Sequence, residues 1–161
     1  GRRQAVIGQI YKDRVTAIDN CVEELEEAPD CCSKQLMDAT ELLFPDDSFD
    51  NVTFFYTLMY MTTEEQQKSI REAARVLRAG KWMHIWDCDI CSAYPEPFVI
   101  DLDVKSGTLK IHTAYGIVKR DAQSSDSIVH LLENAGLRIE SLQEKDGQFH
   151  IQCRKDKLNS G

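Results

Sequence analysis

Between positions 43 and 61 the chain runs Leu43-Phe44-Pro45-Asp46-Asp47-Ser48-Phe49-Asp50-Asn51-Val52-Thr53-Phe54-Phe55-Tyr56-Thr57-Leu58-Met59-Tyr60-Met61, a polar turn between apolar anchors followed by an apolar run. Pro45 fixes one backbone angle, and Asp46, Asp47 and Ser48 can hydrogen-bond their own backbone, so the chain turns here. Residues 52–56 are aromatic or β-branched and nearly all apolar. That run predicts a strand buried on both faces, as in a parallel sheet between helices. The period then changes from two to 3.6. Thr62-Thr63-Glu64-Glu65 opens a helix that reaches Leu77, with Ile70, Ala73, Ala74 and Leu77 on one stripe and Glu64, Glu65, Gln67, Lys68 and Arg71 outside it. Thr62 or Thr63 is the expected N-cap, and the two glutamates complement the positive helix start. Ala79-Gly80 predicts a stop, and residues 82–86 a further, central strand.

Upstream, residues 4–13 place Ala5, Val6, Ile7, Ile10 and Tyr11 on a helical apolar face. Residues 14–20 predict a short strand ending on Asp19, residues 21–27 an acidic helix, and residues 35–37 a strand followed by Asp38. This is a βαβ pattern, and in open α/β sheets ligands bind at the carboxyl ends of the strands, where these acids fall. The strand at 82–86 also ends acidic, in Asp87-Cys88-Asp89. Beyond it, 92–97 reads as loop, and 98–103, 108–113 and 115–119 as short strands or a hairpin turning at 105–107. Residues 125–135 predict a helix capped by Ser124 or Ser125 and stopped by Gly136. Residues 137–144 and 148–154 pair as a hairpin across Lys145-Asp146-Gly147. The result is a single domain over residues 1–161, an α/β half followed by a helix and an antiparallel hairpin, with 155–161 a frayed tail.

At 161 residues, 42% hydrophobic and 29% charged, the chain is long enough for one packed core and ordinary for a globular protein. A net charge of −8 argues against a nucleic-acid backbone or an anionic membrane as the main partner. No apolar run approaches the roughly 20 residues of a membrane span. Gly1-Arg2-Arg3-Gln4 begins no signal-peptide core, so a cytoplasmic location is the expectation. Of six cysteines only Cys88-Asp89-Ile90-Cys91 has C-x-x-C spacing, and no second ligand pair stands nearby. No metal is therefore expected. A loop rather than a helix follows it, unlike a thioredoxin-type motif. His84, His112, His130 and His150 show no spacing that marks a catalytic dyad.

Two motifs carry a family resemblance. Phe44-Pro45-Asp46-Asp47-Ser48-Phe49-Asp50-Asn51-Val52 and Arg71-Glu72-Ala73-Ala74-Arg75-Val76-Leu77-Arg78-Ala79-Gly80-Lys81 resemble the class I S-adenosylmethionine-dependent methyltransferases. Those enzymes carry an "lpFpdnsFDlV" turn into the fourth strand and "i.E..RVLkpGG" leading into the fifth. The resemblance implies a Rossmann-like three-layer sandwich with a mostly parallel sheet and a C-terminal antiparallel hairpin. It implies S-adenosylmethionine as cofactor. Asp19, with Asn20 beside it, would hold the ribose hydroxyls. Asp38 would take the adenine amino group, and the backbone N–H of Ala39 would meet the ring, with Thr40 nearby. Phe54, Phe55 and Tyr56 would line the methionine end. Tyr60, Asp87 and Asp89 would stand beside the acceptor as candidate bases. Residues 92–120, with Tyr94, Phe98 and Tyr115, would contact a small organic acceptor.

The family's first strand and its glycine-rich loop have no counterpart here, so the first strand is apparently absent. Gly1 falls where the last glycine of that loop belongs, and the chain reads as one that starts inside the motif. The expectation is a fragment with unpaired edges on the strands that resemble the family's second and fourth. Two other functions stay open on the sequence. One is a catalytically inactive methyltransferase-like binding or regulatory module. The other is a nicotinamide-dependent oxidoreductase, against which the terminal hairpin and the turn at 44–52 both argue.

Overall fold

A computed structural model describes residues 10–28, 30, 32–91, 97–106, 109–119 and 121–156. The polypeptide forms β1 (Thr16–Asp19), α1 (Val22–Glu27) and β2 (Ser33–Leu36), a βαβ unit in which β1 and β2 are parallel and Asp19 pairs with Leu36. A second crossover follows: β3 (Phe49–Phe55), α2 (Thr63–Val76) and β4 (Leu77–Cys88), again with parallel strands. After a separate hairpin, β5 (Phe98–Ser106) with β6 (Leu109–Ile117), come α3 (Ser125–Asn134), β7 (Leu137–Lys145) and β8 (Gln148–Lys155). The main sheet has the order β3-β4-β8-β7, with β8 antiparallel to both neighbours. This is a Rossmann-like α/β fold with a C-terminal antiparallel hairpin. Among the described residues no strand joins the β1–β2 pair to the main sheet, so one edge of β1 and one of β3 have no strand partner there.

Local chemistry accounts for the boundaries. Thr62 and Glu65 form a reciprocal capping box at the start of α2: Glu65 N–H donates to Thr62 Oγ1 at 3.3 Å and Thr62 N–H to Glu65 Oε2 at 2.7 Å. Ser124 and Ser127 do the same for α3. Gly136 leaves that helix at φ 79°, and Asp146 and Gly147, at φ 52° and 72°, make the tight turn between β7 and β8. The main core lies between the sheet and the helices. Phe54, Met83, Ile85, Ile151 and Cys153 meet Ile70, Ala73 and Leu77 from the α2 side, and Ile128 and Leu132 from α3. No helix among the described residues is long and apolar enough to cross a membrane.

Several expectations change. The stop read at Ala79-Gly80 comes earlier: α2 ends at Val76, Leu77 is already extended, and Gly80 lies inside β4 at φ 75°. Pairing with β3 shifts register between Phe49 and Asn51 in this region, so the glycine serves a bulge rather than a helix end. The strand read at 52–56 begins at Phe49 and is not buried on both faces. Phe54 enters the core while Val52, Thr53 and Phe55 are half-buried. The cause is the opposite face of the sheet, which carries a half-buried row of rings: Trp86 stacks on His150 at 4.2 Å and His84 on Trp86 at 5.5 Å, with the Arg154 guanidinium 4.3 Å over Trp82. Segments 108–113 and 115–119 merge into β6, one arm of a single hairpin. In the predicted first helix, Ile10 and Tyr11 are 62% and 48% exposed, so they supply no buried apolar face. The frayed tail read from 155 does not begin there, since Lys155 ends β8 and pairs with Leu137. Residues 157–161, residues 4–9, Gly1, Tyr94 and Arg120 lie outside the described residues, as do the side chains of Phe98 and Tyr115.

Replacing Thr62 by alanine removes one half of the capping box, and urea denaturation is expected to show a loss of about 1 kcal/mol. An unchanged midpoint would mean that the cap contributes nothing.

Candidate functional site

The parallel register brings two acids to one end of the β1–β2 pair. Asp19 closes β1; its Oδ1 accepts from Cys21 N–H at 3.0 Å, and its carbonyl from Met37 N–H at 2.9 Å. That last bond keeps the chain against β1 for one residue beyond β2 and delivers Asp38 to the same edge. Asp38 is exposed, and its Oδ1 accepts from Thr40 N–H at 2.8 Å and from Thr40 Oγ1 at 2.7 Å. These bonds hold its carboxyl below the usual carboxylate range, with the Thr40 backbone contributing most and its hydroxyl next. Asp38 is thus a fixed, ionised, acceptor-only group. Asn20 is exposed beside Asp19, and Ala39 is half-buried in the turn after Asp38.

The loop from this edge to β3 is held chiefly by Glu72 and Arg75, two of the charged residues of the second motif. Arg75 donates from Nη2 to Leu42 O at 2.9 Å, and from Nη1 to Phe44 O at 2.9 Å and Asp46 Oδ1 at 2.7 Å. Glu72 receives Arg75 Nε on Oε1 and Nη2 on Oε2, both at 2.8 Å, and its Oε2 also accepts from Leu42 N–H at 2.9 Å. The spacing of Glu72 and Arg75 puts them one helical turn apart, so the pair is made within α2 and does not need the loop for its geometry. Phe44 and Phe49 pack edge to face at 4.9 Å and close the turn.

At the end of β3 the three aromatic residues part company. The ring of Phe54 belongs to the main core, so it does not line a cleft. Phe55 emerges on the other face, half-buried, 5.7 Å from Trp86. Tyr56 has φ 48°, a conformation bulky residues rarely adopt. Its N–H still donates to Trp86 O at 2.7 Å, its hydroxyl donates to Gln148 Oε1 at 2.6 Å, and its ring is buried with Met59, Cys88, Ile90, Ile100 and Ile117. The left-handed step turns the chain out of the strand into a 3-10 turn, Leu58–Tyr60, which leaves Tyr60 54% exposed.

Asp87 and Asp89, read as candidate bases, sit differently. Asp87 is fully buried. Its Oδ2 accepts from the N–H groups of Leu58 and Met59 at 3.0 and 3.3 Å, and its Oδ1 from Cys88 N–H at 2.9 Å and Gln123 Nε2 at 2.8 Å. It caps the 3-10 turn from inside the protein. Burial pushes its carboxyl up to about 6 against those bonds. Asp89 Oδ1 accepts from Ser125 N–H at 2.9 Å, at the start of α3. Of the three acceptor-side candidates, Tyr60 alone is exposed.

The sequence reading did not single out Gln66, Lys119 or Gln123, which are buried around Asp87. The available signal was Gln66, a polar residue on the apolar stripe of α2, four positions before Ile70. It also missed the contact between His84 Nδ1 and His150 Nε2 at 3.3 Å, because cross-strand neighbours leave no mark in linear spacing. Among the described residues no group of three or more His, Cys, Asp or Glu side chains could hold a metal ion. Cys88 is buried and Cys91 exposed, both as free thiols, and burial pushes the Cys88 thiol up to about 12.

The fold places its ligand-competent acids at the carboxyl ends of parallel strands, which defines a Rossmann-like site. The methyltransferase domain family model matches residues 1–85, and the chain belongs to that family. No curated protein sequence matches it. Solved structures share the fold at low identity. An S-adenosylmethionine-dependent methyltransferase from Methanosarcina mazei has a TM-score of 0.66 at 17% identity, over 89% of this chain and 82% of that one. The glycopeptide N-methyltransferase MtfA, complexed with S-adenosylmethionine, has a TM-score of 0.61 at 13% identity, over 89% and 73%. The [4+2]-cyclase SpnF has a TM-score of 0.62 at 15% identity, over 91% and 67%.

Because the carboxyl of Asp87 titrates at about 6, above its ordinary 3.8, the folded state binds that proton more tightly than the unfolded chain. Its contribution to stability is complete below about 4 and is lost as pH rises through about 6. Unfolding free energies of the wild type relative to Asp87→Asn, measured in urea at pH 4.5 and 7.5, should fall by on the order of 2 kcal/mol across that window. A constant difference would contradict the buried titration.

Proposed function

We propose that the protein binds S-adenosylmethionine across the carboxyl ends of β1, β2 and β3 and transfers its methyl group to a small organic acceptor. The observation that carries this reading is the pairing of Asp19 and Asp38 at one edge, with Asp38 held ionised by Thr40. The donor set fits the cofactor. A carboxylate that accepts two hydrogen bonds suits the ribose diol, which is the role of Asp19, and Asp38 suits an exocyclic amino group. In this reading the backbone N–H of Ala39 would meet the adenine edge, and the half-buried Phe55 and the turn after Tyr56 would border the methionine end. When bound, the cofactor's sulfonium supplies an activated methyl group that a nucleophile displaces in line.

The protein's share is alignment and exclusion of water. The β5–β6 hairpin is the wall on the acceptor side, since its Ile100 and Ile117 pack with Tyr56, Met59 and Ile90. Tyr60 is the exposed side chain on that side, beside which an acceptor hydroxyl or amine would stand. Asp87, enclosed and engaged by four donors, holds the turn instead of taking a proton from the acceptor. A second reading, ligand binding without methyl transfer, has one specific observation in its favour: the similar fold of a [4+2]-cyclase.

Calorimetry with S-adenosylhomocysteine tests the reading. Binding is expected, with Asp19→Ala and Asp38→Ala each weakening it by about tenfold or more, the loss of a charge-assisted hydrogen bond. No binding by the wild type, or full affinity in both variants, would contradict it.

A further inference from the structure

Gln123 lies on the segment between the β5–β6 hairpin and α3, and all four hydrogen-bonding positions of its buried amide are filled. Nε2 donates to Asp87 Oδ1 and to Cys88 O, both at 2.8 Å. Oε1 accepts from Gln66 Nε2 at 2.7 Å and from Lys119 Nζ at 3.0 Å. Its backbone exchanges hydrogen bonds with Ile90 at 2.8 and 3.2 Å. The same partners grip one residue of the 3-10 turn after Tyr56. The N–H of Leu58 donates to Asp87 Oδ2 at 3.0 Å, while its carbonyl accepts from Gln66 Nε2 at 2.8 Å and Lys119 Nζ at 3.4 Å. Side chains from β4, α2 and the segment after β6 therefore converge on Leu58, with Gln123 joining all three.

The reaction itself gives this hub no task, because none of its members is exposed. Apolar side chains of the same shape would fill the space but strip the backbone groups that the hub bonds, among them both polar groups of Leu58, of those hydrogen bonds. Directional bonds to both polar groups of one residue do something that apolar packing does not: they fix the orientation of a three-residue turn. The hub also contains the buried groups Lys119 and Asp87, which attract one another and are both hydrogen-bonded by the Gln123 amide. Asp89, Asp121 and Glu65 are the other charged groups near it.

We propose that Gln123 is a positioning residue that holds the Leu58–Tyr60 turn against the methionine end of the bound cofactor. This rests on the cofactor reading above. The consequence is selective: the hub acts on the half of the site beyond β3, whereas Asp19 and Asp38 hold the nucleoside half without it.

Two probes separate the halves. S-adenosylhomocysteine carries the amino-acid arm, and 5′-methylthioadenosine carries the same nucleoside and sulfur without it. Calorimetry on wild type and Gln123→Ala is expected to show about a tenfold loss for S-adenosylhomocysteine, the scale of one lost set of hydrogen bonds. The affinity for 5′-methylthioadenosine should be unchanged. Equal losses for the two probes would mean that Gln123 only stabilises the fold and would overturn the proposal, as would no loss for either. A wild type that binds neither probe would overturn the cofactor reading and this inference with it. If Gln123→Ala does not fold, Lys119→Met, which keeps the apolar stem of the side chain and removes the ammonium that bonds Leu58 O and Gln123 Oε1, takes its place with the same expected selectivity.

Discussion

A carboxylate sealed inside a protein must find all its partners there, and Asp87 finds its partners in the elements that shape the site. Two are backbone N–H groups of the turn after β3, one is the next residue of its own strand, and one is the Gln123 amide. Satisfying one charge thus commits the end of β4, the Leu58–Tyr60 turn and the approach to α3 to a single arrangement. Breaking any of these bonds leaves a buried acceptor short, at a cost of about 1–3 kcal/mol. The turn cannot drift without that cost.

A second constraint works on the other side of β3. Glu72 and Arg75 hold the loop from Leu42 to Asp46 by backbone and side-chain bonds, so the chain that leaves Asp38 reaches β3 along a fixed path. Lys155 adds to this from β8, donating to Leu77 O at 2.7 Å and Asp47 Oδ1 at 2.9 Å. Glu72 and Arg75 are therefore scaffold for the loop that follows Asp38. Asp38 can stay exposed and ionised beside that loop, its carboxyl held by Thr40.

What could be read in the sequence was local. The Thr62 and Ser124 caps, the Asp146-Gly147 turn and the strand-terminal acids each follow from chemistry within a few residues of the position concerned. The Gly80 bulge was not legible, because a glycine after a helix looks the same whether it stops the helix or relieves a mispaired strand. The half-buried face of β3 was hidden for a related reason: an apolar run does not disclose that Phe55, on its other face, lies beside Trp86 of β4 and stays partly exposed. The hub was least visible of all. Gln66, Asp87, Lys119 and Gln123 come from three separate elements, and only tertiary packing makes them neighbours.

Family membership comes from the domain match, and the fold is shared by methyltransferases and a cyclase, so the reaction lives in what the strand ends hold. The most direct measurement is an amide-resolved magnetic resonance titration of the isotope-labelled protein with S-adenosylhomocysteine. Shifts are predicted at Asp19 and Asn20, at Asp38 through Thr40, and from Phe55 through Tyr60, with little change along β7. Shifts gathered instead around His84, Trp86 and His150, with none at Asp38 through Thr40, would contradict a cofactor cleft at the strand ends.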